Sequence, residues 1–159
     1  MTARPGTGPR HLRCPADGTL LLVGELSGSL IWYRPAADGS LTPAGEVSTT
    51  TVAGENQPSE ILTGTDGRFV YVANRGPNTV ATFAWDGERA SLVAEVPTGG
   101  SWPRHLTLVG DHLYVTNQLS HNVTTFRINP DTGIPAPLGE PTGAGSPTCL
   151  LPWHSTGAV

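Results

Sequence analysis

The sequence predicts an all-β chain of repeated four-stranded antiparallel sheets, the blades of a β-propeller: about three of them, with the first strand of a fourth. The first observation is a repeat. Four segments open alike, Pro9-Arg10-His11-Leu12, Pro58-Ser59-Glu60-Ile61, Pro103-Arg104-His105-Leu106 and Pro147-Thr148-Cys149-Leu150, with prolines 49, 45 and 44 residues apart, a period within the range of propeller blades. The second is punctuation. Twenty Gly and fifteen Pro lie between short apolar runs, as expected for many turns joining many strands.

Each unit reads through the same order of elements. After the opening proline comes a tight turn (Asp17-Gly18, Asp66-Gly67, Gly110-Asp111), then a β-rich run (Leu20 to Leu26, Phe69 to Asn74, Leu113 to Asn117). A second polar turn leads to a third strand carrying aromatics expected in the core: Trp32 and Tyr33, Phe83, Phe126. Turns at Asp38-Gly39, Asp86-Gly87 and Asp131-Thr132-Gly133 precede a fourth strand, expected at Leu41 to Val47, Leu92 to Val96 and Leu138 to Pro141. No segment keeps apolar residues at helical spacing, so almost no helix is expected. The boundaries that follow are an extension at 1–7, blades at 8–56, 57–101 and 102–145, a strand at 146–152 and a tail at 153–159.

Composition excludes several kinds of chemistry. All nine cationic side chains are Arg, which removes Schiff-base lysines and a phosphate-loop lysine. A formal net charge of -4 without a basic run argues against nucleic acid as a partner. Cys14 and Cys149 stand alone, outside any zinc or disulfide spacing, and are expected as two buried thiols. No apolar stretch approaches a membrane span and the N-terminus has no signal-like apolar core, so the expected location is cytoplasmic, with no membrane partner. Motifs for serine hydrolases, zinc proteases, dinucleotides and EF-hands are absent. No cofactor and no metal are expected.

Topology then sorts the polar residues. Antiparallel order puts the opening Pro segments and the turns after second strands at one end of the blades. That end collects Arg10, His11, Glu25, Glu60, Asn74, Arg75, Arg104, His105, Asn117, Gln118 and His121. First strands line a propeller's central channel, so these residues are expected around the mouth of a shared funnel. Two readings stay open for each: a place in a polar pocket, or a tie between neighbouring blades, as for Glu25 and Glu60 paired with an Arg. His112 and His154 fall outside the repeat pattern and are expected at the surface.

The segments Gly8-Pro9-Arg10-His11-Leu12, Gly24-Glu25-Leu26-Ser27, Pro58-Ser59-Glu60-Ile61, Asp66 to Gly76 and Trp102-Pro103-Arg104-His105 resemble the lactonase family of seven-bladed propellers. That family includes bacterial 6-phosphogluconolactonases and fungal carboxymuconate cyclases. The resemblance runs from about Gly8 to Pro152 and is closest to the C-terminal half of the family pattern, so a chain lacking N-terminal blades is expected. Its open edges imply self-association. The resemblance implies hydrolysis of a small anionic sugar lactone, with His11 as general base supported by Glu25 or Glu60, and His105 ranked second. It further implies Arg10, Arg75 and Arg104 as anion-binding and oxyanion-stabilising groups, with Asn74, Asn117 and Gln118 bonding sugar hydroxyls. A cycloisomerase and a non-enzymatic binding module remain as alternatives.

Overall fold

The computed structural model describes residues 3–153, and these form three antiparallel sheets without a helix. His154 lies outside the described residues. Blade 1 consists of β1 (Pro9–Arg13), β2 (Leu20–Gly24), β3 (Ser29–Pro35) and β4 (Leu41–Ser48). Blade 2 consists of β5 (Gln57–Thr63), β6 (Phe69–Arg75), β7 (Thr79–Trp85) and β8 (Ala90–Pro97). In blade 3, β9 (Pro103–Val109), β10 (His112–Asn117) and β11 (Asn122–Ile128) are followed by two short pieces, β12 (Pro135–Pro137) and β13 (Thr142–Gly143). Strands pair in chain order from the inside outward, and β1, β5 and β9 run side by side as the inner strands.

Alternation along each strand builds the core between blades. Leu21, Val23, Leu30 and Trp32 of blade 1 pack against Ile61, Val70, Val72 and Phe83 of blade 2. The opposite face of blade 2 presents Tyr71, Ala73 and Val80 to Leu106, Leu113, Val115 and Phe126 of blade 3. The third-strand aromatics are therefore core, as their spacing indicates. Trp32 meets Trp85 edge to face at 5.9 Å, an arrangement aromatic rings favour. The facing residue on β4 is Gly45, where an added Cβ would fall 2.1 Å from the Trp32 ring.

Polar ties supplement this packing at both ends of the sheets. At the Asp-Gly end, Trp85 Nε1 donates to Asp17 across the first blade junction at 2.9 Å, and Arg68 donates to the Pro130 carbonyl across the second at 2.7 Å. At the other end, Asn74 Nδ2 donates to the Thr49 carbonyl at 2.7 Å and Thr124 Oγ1 to the Thr98 carbonyl at 2.6 Å. All but the Trp85–Asp17 tie satisfy a backbone carbonyl that the blade's own ladder leaves over.

Three expectations are corrected here. The last strand of blade 3, expected at Leu138 to Pro141, is split into β12 and β13 on either side of that segment. Pro135, Pro137 and Pro141 lack the N–H a ladder needs, and Gly139 turns the chain at φ +71°. Residues 146–152 form no strand, although they lie beside β9, where Thr107 Oγ1 donates to the Leu150 carbonyl. Cys14 and Cys149 are exposed free thiols rather than buried ones, because the first follows β1 into a turn and the second belongs to that unpaired segment.

Candidate active site

The opening Pro segments owe their shape to a β-bulge that recurs in every inner strand. Pairing jumps between Pro9 and His11, between Pro58 and Glu60, and between Pro103 and His105. The extra residue in each is Arg10, Ser59 or Arg104. A bulge re-aims the side chains around it, and here it brings residues 10, 11, 60, 104 and 105 toward one basin.

His11, Glu60 and His105 occupy the same position in three adjacent inner strands, and they meet. The Glu60 carboxylate, only 1% exposed, sits 2.8 Å from His11 Nδ1 and 3.4 Å from His105 Nε2. The first contact is close but poorly aligned for a hydrogen bond. Arg13 donates to the same carboxylate at 3.2 Å, and the Ile61 backbone N–H does so at 3.0 Å. Burying a carboxylate is costly unless it is surrounded by donors and cations; this one has both. Arg13 was not singled out by sequence, because its repeat equivalents are Leu62 and Thr107 and no pattern marks it.

The two imidazoles are not equivalent. His11 is 41% exposed and turns Nδ1 to Glu60, which leaves Nε2 without a partner among the described residues. His105 is more enclosed, and both its nitrogens are engaged. Nδ1 lies 3.3 Å from Thr107 Oγ1, while Nε2 faces Glu60 and stands 3.7 Å from Cys149 Sγ. Burial lowers the pKa of His105 below the ordinary histidine value, with nearby His11, Arg13 and Arg10 acting in the same direction and Glu60 opposing them. Its neutral form is therefore favoured near pH 7. Arg13 and His105 also line a groove of about 410 Å³ that continues along β9 to Leu150 and Leu151.

A second cluster lies next to the first. Glu25 receives Arg75 on one carboxylate oxygen and Arg10 on the other, the latter at 3.7 Å. Arg75 is 4% exposed and also donates from Nε to the Gln57 carbonyl at 3.0 Å. Its guanidinium stacks over the Trp102 ring at 5.3 Å. Arg10 keeps a buried Nη1 with no hydrogen-bond partner. Burial lowers the Arg10 pKa, helped by repulsion from Arg75 and Arg104 and opposed by Glu25 and Glu60. Arg104 makes no ion pair among the described residues.

The neutral candidates fare differently from the charged ones. Asn74 and Asn117 are fully buried. The amide of Asn74 is spent on the Thr49 carbonyl and Thr79 Oγ1, and that of Asn117 on Asn122 and Thr124. Asn74 thereby joins blades 1 and 2, whereas Asn117 braces the β10–β11 turn inside blade 3 and keeps a buried Oδ1 without a hydrogen-bond partner among the described residues, so neither amide nitrogen is left for a sugar hydroxyl. Gln118 is tied through its backbone N–H to the Trp102 carbonyl at 3.1 Å. His121 holds a positive φ of 55° in its turn and accepts the Ser146 N–H on Nδ1 at 3.2 Å. His112 lies at the surface, about a third exposed, where its Nδ1 is 2.7 Å from the exposed Asp111 carboxylate.

With this geometry in place, the comparisons are specific. The chain matches the family described as "Lactonase, 7-bladed beta-propeller" over residues 1–152. It belongs to that family. The lactonase-family chain is 33% identical over 160 residues to a 6-phosphogluconolactonase of Bacillus subtilis, covering 94% of this chain and 45% of the relative. A 6-phosphogluconolactonase of Formosa agariphila is 31% identical over 141 residues, covering 84% and 40%. The solved periplasmic gluconolactonase of Pseudomonas aeruginosa superposes with a TM-score of 0.86 at 29% identity, covering 94% of this chain and 43% of that one. The lactonase-family chain thus spans less than half the length of the relatives it matches, and its three sheets are part of a seven-bladed plan.

Proposed function

We propose that the basin opens a small anionic sugar lactone, of the 6-phosphogluconolactone kind, by water attack. The observation that supports this best is the carboxylate of Glu60, buried between two imidazoles and bonded by Arg13, with the Arg10 cluster next to it. In this reading His11 Nε2 takes a proton from water as its oxygen adds to the ester carbonyl, and Glu60 orients the ring through Nδ1. The carbonyl electrons move onto oxygen, where guanidinium donors stabilise the charge. The ring C–O bond then breaks, the imidazolium returns its proton to the leaving oxygen, and a hydroxy acid results. Arg10 and Arg104 grip the anionic group of the substrate, for which a forked guanidinium is well shaped.

The names of the Bacillus and Formosa relatives support the substrate class, and ring closure bears on the rate. A funnel that orients reactants and excludes water needs a closed ring. The decisive measurement is lactone hydrolysis by a chimaera in which the N-terminal blades of the Bacillus subtilis relative are fused ahead of this chain. Hydrolysis that falls at least about a hundredfold in the Arg10→Ala, Arg104→Ala double variant is expected. Equal rates with and without those arginines would remove the assignment, and a closed chimaera that binds a protein but opens no lactone would favour the binding-module reading.

The proposal extends to association and compartment. Leu12, half exposed, shares with Leu22 and Ile31 the face of blade 1 that is turned away from blade 2. Leu22 and Ile31 are themselves buried, so association is expected through the exposed Leu12 and the open edges of the blade series, and the chain alone is expected to elute from size exclusion above its 16.6 kDa mass. A monodisperse monomer at that mass contradicts the expectation. Two exposed free thiols fit a reducing cytoplasm. Among the described residues no helix is long and apolar enough to cross a membrane.

A further inference from the structure

We infer that Trp102 is a positioning residue for the anion-binding arginines, acting through Arg75 and Glu25 on Arg10. This rests on the reading of the basin as an anion site and assigns a residue that reading did not contain. Trp102 has a backbone φ of +63°, a conformation that L-residues with bulky side chains rarely hold, and one further disfavoured by the proline that follows it. The equivalent residue in blade 1 is Gly8, at φ +58°. There the same backbone job is done without a side chain: the Glu25 N–H donates to the Gly8 carbonyl at 2.8 Å, just as the Gln118 N–H donates to that of Trp102 at 3.1 Å. Glycine would therefore serve the turn in blade 3 at lower cost, and what tryptophan adds is its ring.

That ring lies under the Arg75 guanidinium. Arg75 is buried, and two of its three guanidinium nitrogens donate to Glu25 and the Gln57 carbonyl. It thereby fixes one oxygen of Glu25, and the other oxygen faces Arg10, whose Nη1 is buried and unpartnered. Trp102 is in turn held by Asn78, whose Oδ1 accepts the Trp102 N–H at 2.8 Å. A line of contacts from Asn78 through Trp102, Arg75 and Glu25 to Arg10 thus crosses all three blades. A cation over an indole face is attracted most strongly where water is excluded, which suits a guanidinium that must be immobile rather than free to bind.

The test is a titration of the purified chain with 6-phosphogluconate and with inorganic phosphate, followed by calorimetry and by tryptophan emission. Trp102→Ala is expected to weaken 6-phosphogluconate binding about tenfold, while Trp102→Phe, which keeps a π face, stays within about threefold and loses the emission change. Asn78→Gly preserves the left-handed turn at φ +57°, removes only the amide that holds Trp102, and is expected to weaken binding as well. It also serves if Trp102→Ala does not fold. Wild-type affinity in both Trp102→Ala and Asn78→Gly, with binding lost in Arg10→Ala, overturns the role of Trp102 and leaves the anion site standing. No binding of either anion to the wild-type chain overturns the anion site and this inference with it.

Discussion

Glu60→Ala is expected to lower the stability of the chain by about 2–3 kcal/mol and to abolish lactone hydrolysis in a completed ring. The carboxylate is 1% exposed, and it is the common partner of His11, Arg13 and His105. Breaking a buried ion pair by removing one member costs about 3–5 kcal/mol, because the remaining charge is stranded. The cost here is smaller, since His11 and Arg13 are about two-fifths exposed and rehydrate when the carboxylate is gone. Urea denaturation measures the change as a shift in midpoint at constant slope. Glu60→Met separates structure from chemistry. A buried ion cluster is often replaceable by an apolar side chain of similar volume, so this variant is expected to recover most of the stability and none of the hydrolysis. A Glu60→Ala chain with an unchanged midpoint would show that the cluster does not hold the inner strands together.

His11→Ala is expected to cut lactone hydrolysis by at least about a hundredfold in the completed ring while leaving 6-phosphogluconate binding within about threefold. The asymmetry between the two histidines makes the prediction sharp. His11 presents one nitrogen to Glu60 and keeps the other without a partner, whereas His105 is engaged on both sides by Thr107, Glu60 and Cys149. Loss of His105 is therefore expected to affect rate less than loss of His11. Because His11 is 41% exposed, its removal should cost less than about 1 kcal/mol of stability, so lost activity would not be lost fold. Single-turnover rates in the two variants decide the matter. A larger loss in His105→Ala would reverse the assignment of the base.

Much of the fold was legible because its signals are local. The opening prolines mark the inner strands, and the Asp-Gly turns put glycine at positive φ where the chain reverses, as at Gly18, Gly67 and Gly87. The near-continuous apolar runs of β2, β6 and β10 follow from two-sided burial between blades. Errors gathered where local signals conflict. Between Pro135 and Pro141 the apolar pattern favours a strand and the missing N–H groups oppose it, and the outer edge has no further strand to settle the contest. The cysteines were misplaced because the general tendency of thiols to be buried gives no information about a segment such as 146–152 that finds no ladder partner.

The roster of charged site residues was also readable, since each sits at a fixed offset from an opening proline or a second-strand turn. Their partnerships were not. Glu25 belongs to Arg75, fifty positions away, and Glu60 to His11 and His105 on either side. Asn74 and Asn117 look like basin residues in the repeat, yet the first is consumed at a blade junction and the second within its own blade. Trp102 was visible only as part of a motif, because sequence does not reveal that its φ is left-handed or that a guanidinium lies on its ring.

The sequence by itself determined the repeat, the four-stranded blade and the set of polar residues brought to one end, because turn chemistry and two-residue alternation act within a few positions along the chain. Only the tertiary structure decided which of those residues face a substrate and which hold blades together. That choice depends on side-chain distances between strands from different blades, set by the recurring bulge and by how the apolar faces stack.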